Sequence, residues 1–117
     1  MLAQVMQFYG PRSAELLAAA DRASEERLGP IMMAHPRVRE EFVGMLSLRR
    51  PDGEQLTVLV MRTAEGLDLV RELVMSSELL PGEDPALLPG PDRVEVYTVT
   101  EMIGSLAQVD DVDAASR

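Results

Sequence analysis

Two apolar runs on either side of a short turn constrain the fold of this chain more than any other feature. The runs are residues 42–50 (FVGMLSLRR) and 55–63 (QLTVLVMRT), and Pro51-Asp52-Gly53-Glu54 separates them. Proline fixes φ at the start of a turn, and glycine accepts the positive φ that a tight turn requires. The pattern therefore predicts an antiparallel hairpin formed by strands two and three.

A strand and a helix are predicted before this hairpin. Residues 2–9 form an apolar run that stops at Gly10-Pro11 and is typical of a strand. Ser13 is expected to cap the helix that follows, and Gly29-Pro30 is expected to end or kink it, with residues 31–34 as a brief continuation. Residues 37–41 are charged and are interpreted as a connecting turn. The apolar positions of this helix recur at helical spacing: Leu16, Leu17, Ala20, Ala23 and Leu28.

A second helix and a fourth strand are predicted after the hairpin. Thr63 is expected to cap the helix, which Pro81-Gly82 ends, and its apolar positions are Leu67, Val70, Leu73, Val74 and Leu80. Residues 81–92 carry four prolines and are expected to form a long loop. Residues 93–102 alternate in the manner of a strand. The element order β-α-β-β-α-β predicts an α+β domain with a four-stranded antiparallel sheet and both helices on one of its faces.

The predicted sheet is apolar on both faces, although its helices can cover only one. Strand three alternates Leu56, Val58 and Val60 with Leu59 and Met61. Strand two is expected to set Phe42, Leu46 and Leu48 against Val43 and Met45. An uncovered apolar face of this size is uncommon in monomers, so we expect a homodimer that packs sheet against sheet. The alternative is a monomer whose exposed face is made wet by four polar side chains: Gln4, Gln7, Ser47 and Thr57.

Composition limits the partners and the chemistry. The 117 residues carry a net charge of −9 and contain no Lys, which argues against a nucleic-acid partner. No cysteine is present, and no apolar run approaches the length that crosses a bilayer, so we expect no disulfide, no membrane partner and a cytoplasmic location. Residues 1–104 are interpreted as one domain, and residues 105–117 as a disordered acidic tail.

Five polar or aromatic side chains are the candidates for a ligand pocket: Gln4, Tyr9, His35, Arg62 and Tyr97. His35 is the only histidine and the one side chain that titrates near neutrality without a perturbed environment. Arg62 could hold an anion or could simply pair with Glu65 or Glu95, and each tyrosine could serve a ligand or close the edge of the core. One histidine and no cysteine exclude a metal site built from three or four such ligands. The methionines either line an adaptable cavity or fill the core.

The chain resembles the dimeric α+β barrel superfamily, of ferredoxin-like fold, and within it the antibiotic-biosynthesis-monooxygenase-like group. The resemblance spans residues 2–102 and depends on three segments: residues 42–49 with the Pro51-Asp52-Gly53 turn, the helix start 63–67, and strand 93–97. It implies two four-stranded sheets that form a shared barrel, with a pocket in each subunit between sheet and helices. Some members of the superfamily oxidise polycyclic phenols with O₂ and no cofactor, and others degrade haem.

The chain departs from this group at the catalytic positions. Its members use Asn and Trp side chains near the substrate, and this chain contains neither residue, so no catalytic residue is carried over. The sequence therefore predicts a homodimeric module, without a cofactor, that binds a small apolar or aromatic ligand. One alternative is a cofactor-independent monooxygenase acting on a small aromatic or polyketide-like substrate, and another is haem binding through His35.

Overall fold

The computed structural model describes residues 1–104 and has the predicted element order. The strands are β1 (Leu2–Phe8), β2 (Phe42–Arg49), β3 (Gln55–Met61) and β4 (Arg93–Thr98). The helices are α1 (Ala14–Arg22), α2 (Gly29–Ala34), α3 (Pro36–Glu41) and α4 (Ala64–Ser76), and a π-helical segment, Ala23–Leu28, joins α1 to α2. The strands form one antiparallel sheet in the order β2-β3-β1-β4, which confirms the predicted fold class. The predicted tail, residues 105–117, lies outside the described residues.

The hairpin between β2 and β3 closes as its turn residues predict. Gly53 adopts φ of 94°, and its N–H donates to the Arg50 carbonyl over 2.9 Å. The Asp52 carboxylate accepts the Glu54 N–H at 2.9 Å. The turn is therefore fixed by local contacts, and it sets the register of β2 against β3.

The helical chain continues past Gly29-Pro30, because the turns just before these two residues are π-helical and therefore wider than an α-helix. Ser13 caps α1 by accepting the Leu16 N–H at 3.1 Å, as expected. Proline cannot donate and clashes with the preceding turn, and a π-helical segment accommodates such a residue by adding one residue to the turn. The Gly29 N–H donates to the Ser24 carbonyl oxygen, and a Cβ on Gly29 would lie 2.9 Å from that oxygen. Glycine is thus required where the widened turn ends.

Three element boundaries differ from the sequence prediction. Residues 37–41, expected as a turn, belong to the short helix α3, which Pro36 starts because its fixed φ suits a first helical turn. Thr63 caps α4 as predicted, accepting the Gly66 N–H at 3.1 Å, but α4 ends at Ser76 rather than beside Pro81. The last strand ends at Thr98 rather than continuing to residue 102.

A β-bulge in β2 changes which of its side chains share a face of the sheet, compared with the sequence prediction. Phe42 lies opposite Met61, and Gly44, rather than Val43, lies opposite Val60. Because directly paired residues share a face, Phe42 points toward the helices, whereas Leu46 and Leu48 point away. The prediction that these three side chains share one face was wrong, since the extra residue at the bulge reverses the alternation.

The core lies between the helices and the middle of the sheet. It consists of Val38 from α3, Leu59 and Met61 from β3, and Leu67 and Val70 from α4, all of them buried. The helical layer stops short of β4, where Val94 and Val96 are on the helix side of the sheet and yet about half exposed. Among the helices of residues 1–104, none has the length and apolar character needed to cross a membrane.

Candidate functional site

No helix of residues 1–104 packs on one face of the sheet, and we call that face the open face. Strand pairing assigns its members, because paired residues point to the same side. The pairs Leu59–Gln4 and Met61–Leu2 lie on the helix side, so the intervening residues belong to the open face. Its members are Ala3, Val5 and Gln7 of β1; Gly44, Leu46 and Leu48 of β2; Leu56, Val58 and Val60 of β3; and Arg93, Glu95 and Tyr97 of β4.

The part of the open face formed by β2 and β3 contains no polar side chain: each strand contributes three residues to it, all of them aliphatic or glycine. Leu46 and Leu48 are 44% and 53% exposed. Of the four polar side chains that could have made this face wet, Gln4, Ser47 and Thr57 point toward the helices, and Gln7 alone is on the open side. Three of the four side chains that would have made a monomeric face wet therefore lie on the other side of the sheet. Gln4 and Gln7 lie on opposite faces of β1.

The five sequence-predicted pocket residues do not converge on one place. Tyr9 follows β1 and Arg62 follows β3, and the β1–β3 register puts them at opposite ends of the sheet, roughly 26 Å apart. Gln4 points toward the helices, whereas Tyr97 is on the open face. His35 lies between α2 and α3. A single pocket that contains all five side chains is therefore not formed.

Arg62 and Tyr9 each make a hydrogen bond that ties together two parts of the fold. The Arg62 Nε donates to the Glu40 carbonyl at 3.1 Å, and neither carboxylate expected to pair with it does so. Glu65 instead pairs with Arg37 at 2.8 Å, and Glu95 pairs with Arg93. The Tyr9 N–H donates to the Asp92 carboxylate at 2.6 Å and so fixes the end of the loop before β4.

His35 is held by its backbone at the junction of two short helices. Its N–H donates to the Met32 carbonyl at 3.2 Å, and its Nδ1 is buried with no hydrogen-bond partner among the described residues. No other metal-ligating side chains gather around it, since residues 1–104 contain no cluster of three or more His, Asp or Glu that could hold an ion. Haem binding through His35 stays a prediction, which no contact in the described structure favours.

A polar row on β4 is the cluster that sequence reasoning missed. Arg93, Glu95 and Tyr97 alternate along the strand and all belong to the open face. The Tyr97 hydroxyl donates to the Glu95 Oε2, and the Arg93 Nε pairs with the Glu95 Oε1. The spacing of two residues was visible in the sequence, but only the pairing of β4 with β1 shows that the row borders the apolar face.

Hydrogen bonding sets the protonation of this row. The Tyr97 hydroxyl, and then Arg93, lower the pKa of Glu95 below its usual value. The hydrogen bond to Glu95 raises the pKa of Tyr97. At neutral pH Glu95 is therefore a carboxylate, Tyr97 keeps its proton, and the charges of Glu95 and Arg93 cancel.

A shallow depression of about 260 Å³ lies beside the row. Gln7 is opposite both Leu56 and Arg93, and Val5 is opposite Glu95, so β1, β3 and β4 bring these side chains together with Tyr97 around one hollow. The described residues thus supply two apolar walls, one amide and the polar row. This is the one place on the open face where several hydrogen-bonding groups meet apolar surface.

A second cluster on the helix side is an ion pair that anchors the loop before β4. Arg27 donates from Nε to the Glu83 carboxylate at 2.8 Å and from Nη1 to the Ser77 hydroxyl at 2.7 Å. The Glu83 side chain is 2% exposed and also accepts the Leu80 N–H at 2.7 Å. Arg27 and that N–H lower the pKa of Glu83. The pair is structural, since its charges and hydrogen bonds are satisfied within the fold.

Comparison with known proteins supports the fold and leaves the activity open. Among solved structures, the chain is similar to a dimeric ferredoxin-like protein from an uncultured marine organism. The TM-score is 0.55 and the identity 17%, over 89% of this chain and 90% of the other. The sequence matches no family model and no functionally curated protein. The architecture is therefore ferredoxin-like, and membership of the monooxygenase-like group stays a prediction.

Proposed function

We propose that this protein acts as a homodimer in which two sheets pack against each other through their open faces. The observation that carries the proposal is the apolar open face itself, with Leu46 and Leu48 about half exposed in the single chain. Uncovered apolar surface of this extent marks an interaction site. The structural neighbour is described as dimeric, which agrees with this assembly.

The size of the open face is sufficient for a stable dimer. Four strands about 4.8 Å apart and about seven residues long give a face of roughly 19 by 23 Å. Two such faces bury on the order of 1,000 Å² or more once the relief of the side chains is counted, which is near the lower limit for a specific interface. A second copy is therefore an occupant of the right size.

Chemistry also favours a second copy over an unrelated partner. A two-fold axis brings the same patch of both subunits together, so a face must complement itself. The open face meets this condition, because its centre is aliphatic and its charged margin carries Arg93 and Glu95, which have opposite signs. Sheets that pack in this way align at about 30° and interdigitate their side chains.

The test compares two adjacent residues of β2 that point to opposite faces. Leu46 and Met45 are both 44% exposed, but only Leu46 belongs to the open face. Sedimentation equilibrium should show a dimer for the wild type and for Met45→Glu, and a monomer for Leu46→Glu, because a buried unpaired carboxylate opposes association. A monomeric wild type, or a Leu46→Glu variant that still dimerises with wild-type affinity, would overturn the proposal.

The depression bordered by the Arg93–Glu95–Tyr97 row favours a second function, binding of a small molecule within this dimer. The hollow combines apolar walls with a few convergent polar groups, the usual composition of a ligand site. In the proposed assembly the sheet of the partner would close it. A monooxygenase activity has no comparable support from a specific contact, and it stays an expectation from the resemblance.

A further inference from the structure

The depression on the open face has groups that select one kind of ligand. Its apolar walls are Val5 and Leu56, and the Gln7 amide lies between Leu56 and Arg93. The Gln7 side chain makes no hydrogen bond to another group within residues 1–104, so its N–H donors and its oxygen are free. A volume of about 260 Å³ admits roughly nine non-hydrogen atoms, at about 30 Å³ each.

Charge in the depression is already balanced. The Arg93 Nε and the Tyr97 hydroxyl are both committed to the Glu95 carboxylate. Glu95 keeps its negative charge and Tyr97 keeps its proton. The Glu95 carboxylate therefore repels an anionic ligand, and the Arg93 guanidinium repels a cationic one. The groups left for a ligand are the Gln7 amide and the terminal N–H donors of Arg93, which suit a neutral oxygen acceptor.

We propose that this depression binds a small uncharged molecule that carries a carbonyl group on an apolar body. The carbonyl oxygen accepts from the Gln7 amide and from the free guanidinium N–H groups of Arg93, while the apolar body lies on Val5 and Leu56. This inference rests on the proposed dimer, because the sheet of the second subunit is what removes the bound molecule from water.

Three probes of the same shape and different charge test the selectivity. Benzamide is neutral and carries a carbonyl, benzoate is an anion, and benzylamine is a cation. Titration of the ¹⁵N-labelled protein followed by NMR should give a benzamide Kd on the order of 1 mM, which is reasonable for so few atoms. The shifted amides should belong to β1 and β4, and the two charged probes should bind at least about fivefold more weakly. Equal affinity for all three probes, or shifts confined to other elements, would overturn the inference.

Two glutamines on opposite faces of β1 supply the matched variants. Gln7→Leu removes the free amide from the depression and should weaken benzamide about tenfold, the effect of one lost hydrogen bond in a partly dry site. Gln4→Leu makes the same change on the helix side and should leave the affinity unchanged. The reverse result, with binding lost in Gln4→Leu alone, would place the ligand between sheet and helices and contradict the inference.

Sedimentation of the same samples separates the two proposals. If the wild type and Gln7→Leu are both dimers and the wild type does not bind benzamide, the ligand inference fails and the proposed dimer stands. If the wild type is a monomer, the proposed dimer fails, and the enclosed ligand site fails with it. Benzamide binding by the dimeric wild type, together with its loss in dimeric Gln7→Leu, supports both.

Discussion

The two faces of this sheet are built from similar residues and have opposite surroundings. Along β3, Met61 and Leu59 are buried beneath α3 and α4, while Val58 and Val60, which point the other way, are only partly covered. The side chains alone do not separate the two faces, since both are aliphatic. The difference comes from the helices of residues 1–104, which pack on one side only. An apolar face therefore belongs to the core where these helices cover it, and, in the dimer that we propose, to an interface where they do not.

The largest expected effect is on the covered face. Met61 is fully buried, so Met61→Ala should lower the free energy of unfolding by about 3 kcal/mol through lost transfer energy and a cavity. Val60→Ala, on the next residue and the open face, should cost less than about 1 kcal/mol in dilute protein. Urea denaturation of both variants measures the difference. Equal losses would mean that the two faces are buried to the same extent and would remove the contrast.

A smaller loss is expected when the ion pair on the helix side is broken. Arg27→Ala leaves the Glu83 carboxylate, 2% exposed, without its partner, and the melting temperature should fall by roughly 10 °C. Arg37→Ala is the control, because the Arg37–Glu65 pair is exposed on both sides and should change the melting temperature by less than about 3 °C. Differential scanning calorimetry compares the two. If both variants melt alike, the Arg27–Glu83 pair does not hold the loop.

If the open face forms a dimer, the melting temperature should depend on protein concentration. If unfolding is coupled to dissociation, a tenfold increase in concentration should raise the wild-type melting temperature by about 3 °C. Met45→Glu should keep this dependence, and Leu46→Glu should lose it. A wild-type melting temperature that is constant over two decades of concentration would contradict coupled association.

The smallest effect is the part of the acid sensitivity that belongs to Glu83. Its pKa is lowered in the fold from an ordinary value of 4.5. The charged form therefore stabilises the fold above that value, and this stabilisation is lost as the pH falls through the lower, folded-state pKa. Glu83→Gln should melt below the wild type at neutral pH, and the two melting temperatures should converge as the pH falls below 4.5. A constant separation at every pH would show that the charge of Glu83 contributes nothing.

Local features of the fold could be predicted from the sequence because they depend on neighbours along the chain. Gly53 in the hairpin turn and the caps Ser13 and Thr63 all act within three residues of their own position. The bulge in β2 was not predicted. Gly44 lies beside it, and an isolated glycine within a strand is one signal of a bulge, but its position is defined only by pairing with β3. The π-helical segment was visible only as the Gly29-Pro30 break that it accommodates.

The candidate site was less predictable, because its parts come from different strands. Tyr97 was identified from its residue type, but its partners on the open face became clear only from the β1–β4 register. Gln7 was considered in the sequence only as a polar residue of the exposed face, and its place beside Arg93 became clear only from the β1–β4 register. The Arg27–Glu83 contact joins residues 56 positions apart and has no signal in the sequence.

The bulge at residues 42–44 has a consequence for how this chain can evolve. It divides β2 into a part that supplies Phe42 to the interior and a part that supplies Leu46 and Leu48 to the outside. Leu46 and Leu48 lie outside the buried core, so substitutions there alter the exposed surface while Phe42 stays packed against the core. In the dimer that we propose, a lineage can therefore change its interface at two leucines and inherit the same interior, because the extra residue at the bulge sets both leucines on the outside.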